Sequence, residues 1–146
     1  MADVFDSIKR SEIMSHVRST NTKPEVALRK ALFAEGLRYR INDKRLMGKP
    51  DIVFPKYKTV VFVHGCFWHG HEGCDHYSVP KSNTEYWINK VSKNKLRDKK
   101  EQDALMADGW RVIVVWECEI NTKKGLLATT KSLVETIRKR PVRPLP

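Results

Sequence analysis

The stretch that most restricts this chain is His64-Gly65-Cys66-Phe67-Trp68-His69-Gly70-His71-Glu72-Gly73-Cys74, which follows the apolar run Thr59-Val60-Val61-Phe62-Val63. Eleven residues hold three histidines, two cysteines, two large aromatics and three glycines, a mixture that no folding requirement explains. Glycines let the backbone turn tightly. Cys66-x4-His71-x2-Cys74 sets three borderline-soft donors where one tetrahedral zinc ion can collect them. Cys118, at the end of a later apolar run, can return as a fourth ligand, and His76 is a spare nitrogen donor. A closed Cys3His set is a structural zinc site and not a hydrolytic one. The plainer alternative is three unrelated buried thiols.

The totals are compatible with one folded domain. A chain of 146 residues is long enough to bury a core without a disulfide framework, and a hydrophobic fraction of 40% suits a folded chain. No run of about twenty apolar residues would span a membrane. Met1 to Asp6 lacks the basic and apolar regions of a signal peptide. An odd count of three cysteines fits metal ligation in a reducing compartment better than paired disulfides, so a cytoplasmic protein is expected. Net charge of +11 and a pI near 9.7 point to a polyanionic partner, although a generic basic surface has the same signature. Charge alone does not separate DNA from RNA.

Periodicity and punctuation lay out the elements. Residues 1 to 20 are polar and aperiodic, either a loose arm or one that orders on a nucleic-acid backbone with Met14 as an apolar contact. Thr22 or Asn21 caps a helix with Pro24 and Glu25 in its first turn and Gly36 as its stop. Asp51 to Pro55 reads as a strand, and a short turn leads to a second strand from Thr59 to Val63. These two form a hairpin, and the second, almost continuously apolar, is buried on both faces. A basic helix from about Glu85 to Asp108 follows, with Trp87, Val91, Asn94 and Asp98 on one face. Trp110 to Trp116 is a third strand, closed by Glu117-Cys118, and Thr122 to Arg140 a last helix, ended by Pro141 before a loose tail over 141 to 146. The order points to one mixed α/β layer structure.

Several residues are candidates for chemistry. Asp51, beside a strand that ends at Val63-His64, could hold Mg²⁺ together with a backbone carbonyl and phosphate oxygens. An Asp after Pro is also a common turn residue. His69 and His64 are candidates for general base and acid, since imidazole titrates near neutrality. They could equally be extra zinc ligands or core side chains. Asp98 could orient one of the two imidazoles. Glu25, by itself, is a residue that complements the helix dipole. Phe67, Trp68 and Trp87, beside basic residues, could wedge between bases at a cost of a few kcal/mol of unstacking.

Gly48-Lys49-Pro50-Asp51, then Val63-His64-Gly65-Cys66-Phe67-Trp68-His69-Gly70-His71, resembles the very short patch repair (Vsr) DNA mismatch endonuclease family. Lys93-Asn94 with Arg97-Asp98, Gly109-Trp110-Arg111-Val112, Val115-Trp116-Glu117-Cys118 and the N-terminal Arg10-Ser11, Met14 and Glu25 extend the match over about residues 8 to 120. The resemblance implies a PD-(D/E)XK nuclease-like variant with a central mixed β-sheet flanked by helices. It implies an enzyme that nicks one strand 5′ of the thymine in a T·G mismatch left by deamination of 5-methylcytosine. Asp51 would bind Mg²⁺ with the Val63 carbonyl, and His69, supported by Glu25, would be the general base. His64 with Asp98 would assist at the scissile phosphate. Cys66, His71, Cys74 and Cys118 would hold structural zinc, and Met14, Phe67, Trp68 and Trp87 would intercalate. The Glu-x-Lys part of the superfamily signature is absent, its strand being Val61-Phe62-Val63, and in this family histidines take its place.

The expectation is therefore a bacterial, nucleoid-associated monomer acting on double-stranded DNA with a T·G mismatch. A mismatch-repair protein is an open candidate for a further partner. The rivals are a nuclease of broader mismatch or sequence specificity and a non-catalytic zinc-containing DNA-binding module. The last would have no use for Asp51 or His69.

Overall fold

The computed structural model describes residues 22–74 and 80–139. The expectations for the arm over residues 1 to 20, for Met14 and His76, and for the tail over 141 to 146 lie outside the described residues. Helix α1 covers Lys23–Ala34. Its cap is Thr22, whose hydroxyl accepts the Glu25 N–H at 3.4 Å. At the other end Gly36 takes φ 92°, and the Leu37 N–H turns back to the Leu32 carbonyl at 3.2 Å.

Strands β1 (Arg40–Ile41), β2 (Ile52–Phe54), β3 (Thr59–His64) and β4 (Arg111–Trp116) form one sheet in the order β1-β2-β3-β4. β1 pairs antiparallel with β2, and β2 antiparallel with β3, the expected hairpin. A 3-10 turn over Pro55–Tyr57 and Lys58 at φ 49° make its bend. β3 pairs in parallel with β4, from Thr59↔Arg111 to His64↔Trp116. A parallel pair needs a long crossover, and helix α2 (Thr84–Ala107) supplies it.

Two elements were not foreseen. β1 is a two-residue exposed edge strand, too short to leave a periodic trace. Glu117 and Cys118, expected to close the third strand, instead begin a short helix, α3 (Glu117–Ile120). The Glu119 carboxylate accepts the Trp116 N–H at 3.0 Å and ends the extended chain there. Helix α4 then covers Lys123–Arg138.

Alternation along the strands divides the core between the two faces of the sheet. Ile52, Phe54, Val61 and Val115 pack with Leu28 and Leu32 of α1 and Leu133 and Ile137 of α4. Val53, Val60 and Phe62 pack with Leu105 of α2, against Trp110, Val112 and Val114. The continuous apolar run of β3 is thus explained by burial on both sides, as expected. Arg111 ties α4 to the sheet. Its guanidinium donates to Thr59 Oγ1 at 3.0 Å and to the carbonyls of Lys139 at 2.7 Å and Ile137 at 2.9 Å. Among the described residues no helix is long and apolar enough to cross a membrane.

Phe54 is fully buried between the edge of the sheet and α1, with its ring 6.0 Å from that of Tyr39. Phe54→Ala is expected to destabilise the fold by about 3–5 kcal/mol. Equilibrium unfolding in urea, read at constant m-value, checks it.

Candidate functional site

The topology brings three strand ends together. β2 runs opposite to β3, so the residue just before β2, Asp51, lies beside the end of β3. Its Oδ2 accepts the Val63 N–H at 2.6 Å. Burial raises the Asp51 pKa to about 7, the negative charge of Glu25 adds to the rise, and the Val63 N–H opposes it. Glu25 itself is buried at the start of α1, with Arg29 of the next turn 3.6 Å away. Its charge is therefore part of the Asp51 environment as well as of the helix terminus.

Asp51, Val63, His64, His69, Arg97, Asp98 and Glu101 line a cavity of about 430 Å³ together with Gly48 and Lys49. His64 ends β3 and is buried, its ring stacked on that of His69 at 3.8 Å and 7°. Burial and the neighbouring His69 push the His64 pKa down to about 4. His69 Nδ1 lies 2.6 Å from Asp98 Oδ2. A carboxylate only accepts, so Nδ1 carries a proton, and in the neutral ring the lone pair is then on Nε2. The resemblance gives Asp98 a shared role with His64, and ligand atoms of His64, His69 and Asp98 do lie within 4.8 Å of one another, the short hydrogen bond running to His69. The reason is the path of the loop. The Asn94 side chain donates to the Trp68 carbonyl at 2.8 Å, which presses residue 69 against the next turn of α2, where Asp98 stands.

The sulfur donors converge on the other side of the same loop. The ligand atoms of Cys66, His71, Cys74 and Cys118 all lie within 4.8 Å of one another. No disulfide joins these cysteines. Cys118 reaches them from the first turn of α3, because the parallel β3 and β4 end at the same edge. Cys118 Sγ lies 3.4 Å from His71 Nδ1, and the His71 ring stacks on Trp116 at 4.1 Å. Burial and the neighbouring thiols push the Cys118 pKa up to about 12, and burial raises that of Cys66. Three crowded sulfurs cannot all ionise without a cation among them. A divalent cation reverses that penalty, so the donor set fits a tetrahedral metal. Asp51 fits a hard cation on the same reasoning, as a buried carboxylate beside main-chain groups.

The aromatic residues expected to act as wedges form one cluster. The Phe67 ring lies 5.2 Å from Trp68 and 5.5 Å from Trp87, and Trp68 lies 5.9 Å from Trp87. All three are partly exposed. Tyr86, which sequence reasoning passed over, joins them at 4.9 Å from Trp87 and is 57% exposed. Arg97 and Glu101 had no role assigned beforehand. The available signal was helical spacing, since Glu101 stands one turn beyond Asp98.

A scan of family models matches residues 2–76 to DNA mismatch endonuclease Vsr. The chain is 40% identical over 137 residues to the DNA mismatch endonuclease Vsr of Escherichia coli strain K12, covering 94% of this chain and 86% of that protein. The chain belongs to the Vsr family. It is accordingly an endonuclease. It is also 52% identical over 138 residues to the type II nicking enzyme V.NmeAIP of Neisseria meningitidis, covering 94% of this chain and 98% of the relative. A type II nicking enzyme of Xanthomonas oryzae, V.XorIIP, is 46% identical over 135 residues, covering 92% and 98%.

Gly70 makes the family's loop fit its helix. It takes φ 61°, and a Cβ there would meet Val91 Cγ1 at 2.6 Å as well as the Lys95 side chain. Gly70→Ala is expected to cost about 1–3 kcal/mol through strain and overpacking. It should also shift the tryptophan emission as Trp68 moves away from Trp87. Thermal unfolding and fluorescence spectra check the two effects.

Proposed function

We propose that this chain is a Mg²⁺-dependent, strand-specific endonuclease that nicks duplex DNA on the 5′ side of the thymine of a T·G mismatch. The mismatch would be the kind left by deamination of 5-methylcytosine. The observation that carries the reading is one cavity lined by Asp51, His64, His69 and Asp98, with Phe67 and Trp68 of the aromatic cluster on the loop that carries His69. The names of the relatives, a mismatch endonuclease and nicking enzymes, support it. The sheet, with an acidic residue leading an antiparallel hairpin whose second strand pairs in parallel with the next, is consistent with a PD-(D/E)XK variant.

In this reading Asp51 and the Val63 carbonyl hold Mg²⁺, which supplies Lewis-acid stabilisation of the charge that grows on the phosphate. Asp98 fixes the His69 tautomer, so Nε2 takes a proton from the attacking water as its oxygen forms the bond to phosphorus. The P–O3′ bond breaks on the opposite side, and the leaving O3′ takes a proton from solvent water to become the 3′-hydroxyl. His64, neutral because it is buried, stays beside His69 and gives a hydrogen bond to a phosphate oxygen without adding a second positive charge. Glu25 would support His69, and its own charge, which makes it harder for Asp51 to ionise, is offset once a cation sits at Asp51. Phe67, Trp68 and Trp87 enter the base stack next to the mismatch. Cys66, His71, Cys74 and Cys118 hold structural zinc and keep the loop in register.

End-labelled duplexes carrying each mispair, with and without Mg²⁺, test the reading. Nicking should require Mg²⁺ and fall on the thymine strand of T·G. His69→Ala should slow it by about 10²–10⁴-fold, and Asp51→Ala should abolish it. Equal cleavage of paired and mispaired duplexes would mean a broader nuclease. Binding with no cleavage would mean a module that only wedges into DNA.

Zinc has its own test. Purified protein should carry one equivalent by elemental analysis, and Cys118→Ser should lose most of it and melt earlier. Full metal retention by that variant would exclude the proposed ligand set.

A further inference from the structure

The cavity has an electrostatic problem that its acid–base residues do not solve. Asp51, Asp98 and Glu101 all line it, and a phosphodiester entering it is itself an anion. Part of the answer is a cation at Asp51, but a second positive charge stands at the rim. Arg97 lines the same cavity with a side chain that is 57% exposed. Its Nε lies 3.8 Å from Glu101 Oε1 and a terminal nitrogen 4.0 Å from Asp98 Oδ1. Both distances are too long for hydrogen bonds. The two carboxylates therefore hold the guanidinium by charge while its N–H groups remain available to oxygen ligands.

Glu101 is in turn held in place. It is only 21% exposed and lies against Gly48, where an added Cβ would stand 2.6 Å from Glu101 Oε2 and 3.1 Å from its Cβ. The glycine that opens the Gly48-Lys49-Pro50-Asp51 segment thus leaves space for this carboxylate. Glu101 spans from α2, which carries Asp98, to the loop that delivers Asp51.

Resting on the nuclease reading, we propose that Arg97 binds a phosphate of the cleaved strand at the mouth of the cavity, and that Glu101 is the positioning residue that aims it. The guanidinium fork matches two phosphate oxygens. Asp98 divides its two oxygens between Arg97 and His69, so the cation and the base are aligned by one side chain. Glu101 never touches the DNA and acts through Arg97.

Two measurements on the full-length protein test this. In EDTA, affinity for a T·G duplex is followed across salt concentration. Arg97→Ala should lower the slope of log K against log salt by about one, the signature of one lost phosphate contact. In Mg²⁺, Arg97→Ala should slow single-turnover nicking of bound duplex by about 100-fold, with partial rescue by added methylguanidinium. Glu101→Gln should slow it by roughly tenfold, and the double variant should be no slower than Arg97→Ala. An unchanged salt slope overturns the role of Arg97. Multiplying rate losses in the double variant overturn that of Glu101, because they place it on a separate path. Wild-type protein that nicks no duplex would instead defeat the nuclease reading, and the salt slope would still decide whether Arg97 meets a phosphate.

Discussion

The parallel pairing of β3 with β4 is the constraint on which the rest depends. Parallel neighbours end at the same edge of a sheet, here with His64 opposite Trp116. The histidine-rich loop leaves from one of these ends and Cys118 follows from the other. β2, antiparallel to β3, starts at that same edge and delivers Asp51. The histidine-rich loop brings the imidazoles and two of the thiols, and the strand arrangement adds Asp51 from the start of β2 and the distant Cys118. The core that holds the strands in this order lies on both faces, so the edge is supported from α1 and α4 on one side and from α2 on the other.

Much of this was legible in advance because the signals were local. Thr22, Pro24 and Gly36 bounded α1, the apolar runs marked β2 to β4, and Cys-x4-His-x2-Cys marked a donor set. The convergence of Cys118 on that set was also expected, although from a strand end, whereas a helical turn carries it. That turn depends on the Glu119 carboxylate meeting the Trp116 N–H, a short-range contact that hydrophobic periodicity does not report. β1 has two residues and no pattern to read.

Long-range pairing was harder to read. Asp98 was expected to orient an imidazole, but its choice of His69 follows from how Asn94 draws the loop onto α2. Spacing along a helix says that Asn94, Asp98 and Glu101 lie within a short stretch of surface. It does not say which loop residue will stand opposite each. The same gap explains why Glu101 escaped attention, since its partner, Gly48, belongs to a distant segment. In sequence that glycine reads as a turn residue, and only packing reveals the carboxylate that occupies the space a side chain would need.

Trp116 stands between the sulfur cluster and the stacked histidines. Its ring stacks on His71 at 4.1 Å and meets His64 edge-on at 5.3 Å. His64 in turn stacks on His69 at 3.8 Å. Four rings therefore connect the donor set of one site to the acid–base pair of the other, through two parallel stacks joined by one edge-to-face contact. A metal that pins His71 would restrict the plane of Trp116, and through it the space open to His64. β4, which carries Trp116, therefore belongs to the site as well as to the scaffold. The same geometry bears on residue 63. Asp51 meets the main-chain N–H of Val63 and not its side chain. Any side chain compatible with the strand preserves that contact.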